Sequence, residues 1–342
     1  MTPKNTDSDL KRAFKEDGEL KTHVGGQALI EGIMMRGRYN WSVAVREPDG
    51  NIYTEEHDLA SGRKKNSWMY WPIIRGCRAF VESLGLGYKA LEIAAMHAYA
   101  GEEDSEEEED SFGKVEMTIS MVLGLVLGVA LFVVLPAVLS NLLVGEYDAH
   151  TLAWNIVDGI VRVAIFVFYI WLIGRMPDIK RMFMYHGAEH KTIHCYEHGL
   201  PLTPENARSF PRLHVRCGTA FLIMVMIIAI IVYTLTPLNG VIAALGIPSG
   251  APKLVFVIFV RILLMPIIAG VSYEITVKWA GSHPDNPLVK VILWPGMQMQ
   301  YLTTNEPEDE QLECAIAAMQ MVLEREEQEE AAKQESLATV PA

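Results

Sequence analysis

Residues 117–139 have the sequence MTISMVLGLVLGVALFVVLPAVL, in which Thr118 and Ser120 are the polar side chains. An apolar stretch of this length crosses a hydrocarbon core of about 30 Å when it forms a helix. Residues 219–235 form a second such stretch, which ends before Pro237. The sequence therefore predicts a fold dominated by helices inside a membrane.

Two further stretches, residues 152–174 and 254–277, are mostly apolar, and each carries one arginine and one acid: Arg162 and Asp158, Arg261 and Glu274. We predict an α-helical integral membrane protein with four transmembrane helices plus a small α+β cytoplasmic module. Asp158 and Arg162 stand at i and i+4 and can pair along one helix. Charges at membrane depth are costly and face protein or water. The arginines thus indicate either packing between helices or a pocket for a lipid phosphate or another anion.

Lysine and arginine concentrate in one of the connections between the predicted spans. Residues 175–216 hold seven of them, whereas residues 141–151 and 237–252 hold none. Cytoplasmic flanks of membrane helices carry the excess of positive charge. We therefore expect residues 175–216 and, with four spans, both termini to be cytoplasmic.

The net charge of −13 comes from two acidic segments. Residues 102–110 contain eight acids and no base, and residues 306–335 contain eleven acids and two bases, which leaves the rest of the chain mildly basic. Such runs are typical of a solvated linker and a solubilising tail. The basic body suits anionic headgroups. The expected partners are membrane lipid and another membrane protein, not nucleic acid, and the oligomeric state stays open.

Local patterns divide the remainder of the chain. Glu47-Pro48-Asp49-Gly50 predicts the turn of a small β-hairpin between residues 42–46 and 51–56. Apolar spacing predicts helices over residues 68–100 and 308–330. The predicted segments are a disordered N-terminus (1–23), a cytoplasmic glycine-rich, β-hairpin and helical region (24–100), an acidic linker (101–115), transmembrane helices 1 and 2 (116–175), a cytoplasmic histidine-rich loop (176–218), transmembrane helices 3 and 4 (219–278), a cytoplasmic C-terminal region with a helix (279–330) and a tail (331–342).

Between the second and third spans, histidines recur every four residues at His186, His190, His194 and His198. On a helix each lies about one turn above the last, so neighbours can share an ion. His186-x-x-Glu189-His190 also has the order in which two histidines bind zinc and the glutamate acts as general base. We predict a divalent metal, with zinc the expected ion, at His186 and His190, and Glu189 as base or additional ligand. We expect the side chains of His194 and His198 to face solvent and not to bind the metal.

Four residues are candidates for a third ligand: His214, Cys217, Glu197 and Glu274. Arg216 beside Cys217 favours a thiolate, which can bind metal or act as a nucleophile. Lys191 can neutralise a phosphate or carbonyl oxygen, and Glu274 is the preferred contribution from the membrane helices. The competing hypothesis is structural, because histidines near a membrane interface also pair with carboxylates.

The glycine-rich residues 24–38 include Glu31 and Arg36. These side chains either line the same cleft as the histidines or hold a tight turn. Neither a phosphate-loop pattern nor a dinucleotide-binding pattern is present there. We therefore expect no nucleotide cofactor.

Five separated segments also carry a family resemblance: residues 25–37, 185–191, 216–219, 272–274 and 302–307. In these segments the chain resembles the bacterial YqhQ-like membrane proteins, the domain-of-unknown-function family 1385, from about residue 24 to residue 322. The resemblance implies a multi-pass protein of the bacterial inner membrane. It also implies a metal-dependent enzyme, because members are commonly labelled so.

Together these features predict a metal-dependent hydrolase that acts on a membrane-associated substrate at the cytoplasmic face. Glu189, Lys191 and Glu274 are the predicted catalytic residues. The alternative is a non-catalytic membrane scaffold or assembly factor that binds a partner protein. A transporter is disfavoured, since four short spans without an inverted repeat lack the expected architecture.

Overall fold

The apolar stretches form long helices in the computed structural model, which describes residues 9–15, 23–59, 67–99, 109–147, 150–280, 283 and 286–338. Thr118–Val144, Thr151–Ile173 and Ala251–Ala280 are each long and apolar enough to cross a membrane. Phe221–Leu235 and Leu238–Ala244 qualify together as a fourth span, although a bend of 47° separates them. The described part of the chain thus has three or four candidate spans, which is compatible with a multi-pass membrane protein.

The structure is mostly helical, with one small sheet. The helices are α1 (Asp9–Lys15), α2 (Ile74–Ala98), α3 (Glu109–Val129), α4 (Leu135–Val144), α5 (Thr151–Ile173), α6 (Pro177–Glu197), α7 (Pro204–Arg208), α8 (Gly218–Leu235), α9 (Leu238–Ala244), α10 (Ala251–Tyr273), α11 (Pro287–Thr303) and α12 (Asp309–Ala338). A 3-10 turn (Ser67–Tyr70) precedes α2, and π-helical segments join α3 to α4 (Ala130–Val134) and extend α10 (Glu274–Ala280). The strands are β1 (Gly25–Leu29), β2 (Gly32–Arg36), β3 (Asn40–Arg46) and β4 (Ile52–Asp58).

Two of the predicted boundaries differ from the structure. Residues 9–15 form α1 within the N-terminus that was predicted to be disordered, and the rest of residues 1–22 lies outside the described residues. The acidic linker was predicted to extend to residue 115, but α3 already begins at Glu109. Residues 101–108 of that linker also lie outside the described residues.

The predicted β-hairpin is present as β3 and β4, but it is half of a four-stranded antiparallel sheet in chain order. Gly50 adopts a positive φ of 91° in the β3–β4 turn, as the turn sequence requires. Alternate residues along the strands face opposite sides. One face packs on α2, and the other packs on α6 and α12. A sheet buried on both faces explains why β3 is apolar along most of its length.

Helix α11 was missed by the sequence analysis, which predicted a helix in residues 279–330 only from residue 308 onward. Pro287 occupies the first turn of the helix, where no backbone N–H partner is lost. Pro295 lies inside it, and the helix persists because it packs along α8. Helix α12 confirms the predicted C-terminal helix and extends it to Ala338.

The charged residues of α5 and α10 meet inside the helix bundle. Asp158 accepts a hydrogen bond from Arg162 at 2.8 Å and pairs with Arg261 at 2.6 Å. The guanidinium group of Arg261 lies 4.5 Å from the ring centre of Trp154 and 4.4 Å from that of Tyr233. This buried network joins α5, α8 and α10, and its pairing supports the packing interpretation over the anion pocket.

Helix α2 docks on the end of α10 through two glycines. A Cβ built on Gly76 would lie 2.9 Å from the Cα of Gly270 and 2.8 Å from the Cβ of Tyr273. These are distances that real side chains do not reach, so the helices touch backbone to backbone. By contrast, Gly85 on the same helix faces open space.

The Gly76→Ala substitution is expected to lower the free energy of unfolding by about 1–3 kcal/mol, because the methyl group overpacks this contact. Gly85→Ala serves as the matched control and should raise it by about 0.5–1 kcal/mol through helix propensity alone. Both variants would be unfolded by heat or denaturant in the same detergent as the wild type. Equal stability changes in the two variants would show that the contact between the helices is absent.

Candidate metal centre

Helix α6 carries the histidine run and is held on three sides. Pro177 opens the helix at its first turn, and Gly199 follows its end with a φ of 66°. Residues 187–195 are buried without interruption between the sheet and α12. A Cβ on Gly187 would lie 2.1 Å from the carbonyl oxygen of Asn305. The connection between α11 and α12 therefore crosses α6 directly at the start of the run.

Backbone carbonyl groups fix the tautomers of the first two histidines. His186 donates through Nδ1 to the carbonyl oxygen of Thr303 at 2.8 Å, and His190 donates through Nδ1 to that of Arg212 at 2.6 Å. A carbonyl oxygen only accepts hydrogen bonds, so each neutral ring carries its proton on Nδ1 and leaves Nε2 bare. Metal-binding histidines are oriented in this way. Nε2 of His190 is buried and has no hydrogen-bond partner among the described residues.

Cys217 completes a three-residue group with these histidines, which we call the His-Cys group (His186, His190 and Cys217). Its Sγ lies 3.2 Å from Nε2 of His186, and one ligand atom from each residue lies within 4.8 Å of the other two. Two atoms that far apart are about 2.4 Å from an ion midway between them, close to zinc bond lengths of about 2.0–2.3 Å. The group therefore has the ligand types and the spacing of a zinc site.

Glu189 lies beside the His-Cys group and is anchored to the sheet. Its Oε1 accepts a hydrogen bond from the backbone N–H of Gly26 at 3.0 Å. A Cβ on Gly26 would lie 2.8 Å from Cδ of Glu189, so only glycine allows β1 to approach this closely. Burial raises the pKa of Glu189, while His186 and the Gly26 N–H act in the opposite direction. A carboxyl group with a raised pKa can accept and release a proton nearer neutral pH.

A cavity of about 500 Å³ opens onto this site. Its polar end contains His186, Glu189 and Cys217, which we call the reactive end. Its other walls come mainly from apolar side chains of α2, α5, α6 and α8: Phe80, Leu84, Phe166, Ile170, Met182, Phe183 and Leu222. The metal candidates thus face an apolar space bordered by candidate membrane spans.

Lys191 has a structural position. It donates to the carbonyl oxygens of Phe210 at 2.7 Å and Arg208 at 3.1 Å, and it pairs with Glu306 at 2.9 Å. These contacts hold the loop after α7 against α6. These contacts do not support the predicted role of Lys191, which was to neutralise an oxygen atom of the substrate.

A second group contains His194, Glu197 and His214, all buried, with possible ligand atoms within 4.8 Å of one another. Burial lowers the pKa of His194 and of His214 well below the usual histidine value, so both rings are neutral at neutral pH. Arg216 pairs with Glu197, and its backbone N–H donates to Nδ1 of His214 at 3.3 Å. The guanidinium group of Arg216 also lies 3.4 Å from Nε2 of His214, so Arg216 faces both nitrogens of this ring as well as the Glu197 carboxylate.

Two predictions about the histidine run are corrected here. His214 lies with His194 and Glu197 and not in the His-Cys group, although its ring centre is 5.6 Å from that of His190. His194 was expected to suit solvent exposure but is 1% exposed. His198 is exposed, as predicted, and donates through Nδ1 to the carbonyl oxygen of His194 at 2.8 Å.

The other predicted site residues are engaged elsewhere. Glu274 was expected to approach the histidines, but Arg75 binds its carboxylate with two nitrogens. Glu31 accepts two hydrogen bonds of 2.6 Å from Arg181, and its own φ is 48°, so it holds the β1–β2 turn. Arg36 pairs with Glu82 at 2.6 Å in a neighbouring cleft.

Several residues that build the site were missed by sequence reasoning. Gly26, Thr303 and Arg212 contribute backbone groups, whose use does not depend on side-chain chemistry. The density of glycines around Gly26 was the one available signal, because it indicated a close backbone approach. Spacing could not select Cys217, since the loop that returns it to α6 has no periodic pattern.

Comparison with known proteins places this architecture in a family. Residues 71–325 match the family described as "Protein of unknown function (DUF1385)". The chain is 32% identical over 309 residues to "Uncharacterized protein YqhQ" of Bacillus subtilis (strain 168), an alignment that covers 88% of this chain and 92% of that protein. No solved structure matches the chain. The two sequence matches confirm the YqhQ-like resemblance, and the chain belongs to the DUF1385 family.

Proposed function

We propose that the protein is a metal-dependent hydrolase that acts at the cytoplasmic face of the bacterial inner membrane. The observation that carries the proposal is the His-Cys group. Two imidazoles held by backbone carbonyl groups present bare Nε2 atoms beside a thiol, and one of these nitrogens is buried without a partner within the described residues. An unsatisfied buried acceptor is costly, and a divalent cation satisfies it.

The cytoplasmic placement rests on charge and connectivity. The sheet, α6 and α12 pack together, and α6 lies in the segment that joins the candidate span of α5 to that of α8. The arginines and lysines of residues 175–216 lie in the same segment, whereas the described parts of residues 141–151 and 237–252 hold none. The positive charge of that segment favours the cytoplasm.

Each residue of the reactive end has a role in hydrolysis. His186, His190 and Cys217 would hold a divalent metal, which would supply Lewis-acid activation of the scissile group. The Glu189 carboxylate accepts a proton from the water molecule that attacks the scissile carbonyl or phosphoryl group. It then returns this proton to the leaving oxygen or nitrogen. Gly26 keeps the carboxyl group in place during both transfers, through its N–H bond to Oε1.

The test compares Glu189→Gln with the wild type after both have been loaded with zinc. Untagged protein in detergent would be incubated with bacterial phospholipid and membrane-protein extracts, and cleavage products followed by mass spectrometry. Glu189→Gln should keep its zinc but form product at least about 100-fold more slowly, because a general base usually accelerates a reaction by this factor or more.

Glu205→Gln is the matched control, because Glu205 is exposed on the neighbouring α7 and should leave both zinc and rate unchanged. Two results would contradict the proposal: wild-type protein that takes up no stoichiometric zinc, or equal rates for the wild type and Glu189→Gln.

The scaffold hypothesis is supported by one separate observation. The last turns of α12, residues 327–335, project largely exposed side chains, and most of the ionisable ones are acidic. Such a surface suits a basic partner protein. If the protein binds no zinc but a partner that co-purifies is lost when residues 324–342 are removed, the scaffold function replaces the hydrolase.

A further inference from the structure

A cleft of about 800 Å³ lies beside the metal centre, between the sheet, α2 and the π-helical end of α10. Four basic side chains line it: Arg36, Arg75, Arg78 and Lys278. We call it the basic cleft. None of these residues belongs to the His-Cys group or to its hydrogen-bond partners. The cleft is therefore a separate feature that the hydrolase proposal does not use.

Carboxylates neutralise only part of this charge. Glu82 pairs with Arg36 at 2.6 Å and lies 3.9 Å from Arg78, and Glu274 binds Arg75. Within the described part of the cleft, three arginines and two carboxylates leave an excess of one positive charge. Arg36, Arg75 and Arg78 have side chains 34%, 32% and 30% exposed, so a bound anion can reach them.

The basic cleft is continuous with the cavity at the metal centre. Gly26, Gln27, Ser83 and Gly218 line both spaces. One space is polar and basic, whereas the other is walled mainly by apolar side chains. The reactive end, with Glu189 and Cys217, lies where they meet.

Exposed aromatic side chains lie in the same segment as Tyr70 and Arg75, which line the basic cleft. Trp68 and Trp71, next to the start of α2, are 56% and 60% exposed, and Phe80 is 41% exposed. Exposed aromatic side chains of this kind concentrate at the boundary between lipid and water. The segment that forms one side of the cleft thus has the composition expected beside lipid headgroups.

We infer that the basic cleft binds the anionic headgroup of an amphiphile whose apolar chain occupies the adjoining cavity. The inference rests on the hydrolase proposal for the reaction itself and names its substrate class, a lipid with a phosphate or carboxylate headgroup. Such a ligand brings its headgroup linkage to the reactive end. Guanidinium groups recognise phosphate and carboxylate oxygens through paired hydrogen bonds, which explains the use of arginine on α2 and β2.

The test measures binding without catalysis. Protein in neutral detergent with a metal chelator would be titrated with phosphatidylglycerol, phosphatidylcholine or inorganic phosphate, and followed by intrinsic tryptophan fluorescence. We expect phosphatidylglycerol to bind about ten-fold or more tightly than phosphatidylcholine, since each charge-assisted hydrogen bond contributes about this much. Arg78→Gln should weaken phosphatidylglycerol binding by about five- to ten-fold.

Two further variants keep the result interpretable. Glu82→Gln adds one net positive charge to the basic cleft and should tighten phosphatidylglycerol binding, an effect that misfolding cannot imitate. Arg38→Gln removes an exposed arginine that pairs with Glu330 outside the cleft and should change nothing. Equal binding of the two lipids, or equal effects of Arg38→Gln and Arg78→Gln, would overturn the inference.

Inorganic phosphate separates a lipid ligand from a soluble one. If phosphate binds as tightly as phosphatidylglycerol, the ligand is a free anion and the amphiphile is ruled out. Because the chelator removes metal, loss of lipid binding leaves the zinc result untouched. Conversely, absence of zinc leaves the lipid result intact, so the two proposals fail separately.

Discussion

Asp158→Asn is expected to lower the free energy of unfolding by about 3–5 kcal/mol, the cost of removing one partner from a buried ion pair. Asp158 is 2% exposed and faces Arg162 and Arg261, which are 5% and 1% exposed. Without the carboxylate, two guanidinium groups remain in the bundle with no opposite charge in the pair network. Thermal unfolding in a single detergent, followed by tryptophan fluorescence, measures the loss.

Asp178→Asn is the matched control for this substitution. Asp178 is exposed in the first turn of α6, where a carboxylate contributes about 0.3–1 kcal/mol through the helix dipole. The double variant Asp158→Asn and Arg162→Leu also removes one of the two guanidinium groups that have lost their carboxylate, and it should regain part of the stability. If Asp158→Asn and Asp178→Asn unfold at the same temperature, the charge network does not stabilise the helix bundle.

His190→Ala is expected to reduce zinc affinity by well over about 100-fold, since loss of an outer hydrogen-bond partner alone costs about 10–100-fold. The loss of zinc should also change the reactivity of the Cys217 thiol. In the wild type, zinc should protect Cys217 from alkylation, whereas in His190→Ala it should not. Mass spectrometry of the alkylated peptides reports each cysteine separately.

The other cysteines calibrate this measurement. Cys77 is partly exposed on α2, where its thiol donates to the carbonyl oxygen of Pro266, and should be labelled with or without zinc. Burial raises the pKa of Cys195 and of Cys314 to about 11, so both should stay unlabelled near pH 8. His198→Ala should retain full zinc protection of Cys217. Protection that survives in His190→Ala would exclude this histidine as a ligand.

The sequence predicted the long helices well because their signal is local. Residues 152–174 and 254–277 were placed within a few residues of α5 and of α10 with its π-helical extension. The third predicted span, residues 219–235, corresponds to α8, and the chain bends after Leu235 and continues as α9. Helix α11 was missed because Pro295 and Gly296 are local helix breakers, and only packing on α8 overrides them.

At the candidate metal centre, the sequence predicted the contacts within one helix but not those between distant segments. The pairing of His186 with His190 follows from helical periodicity, which brings residues at i and i+4 to one face. Glu274 was misplaced because Arg75, far away in sequence, binds its carboxylate. Cys217 remained one of several candidates, since its position depends on how the loop after α6 folds back. Sequence spacing does not predict which residue of a loop folds back onto a helix.

Two residues that contact the start of the histidine run are synthesised long after it: Thr303, which contacts His186, and Asn305, which contacts Gly187. The ring of His186 is oriented by a residue that the ribosome adds more than a hundred positions later. A nascent chain that stops before residue 303 therefore has the histidines but lacks the carbonyl oxygen that orients the ring of His186.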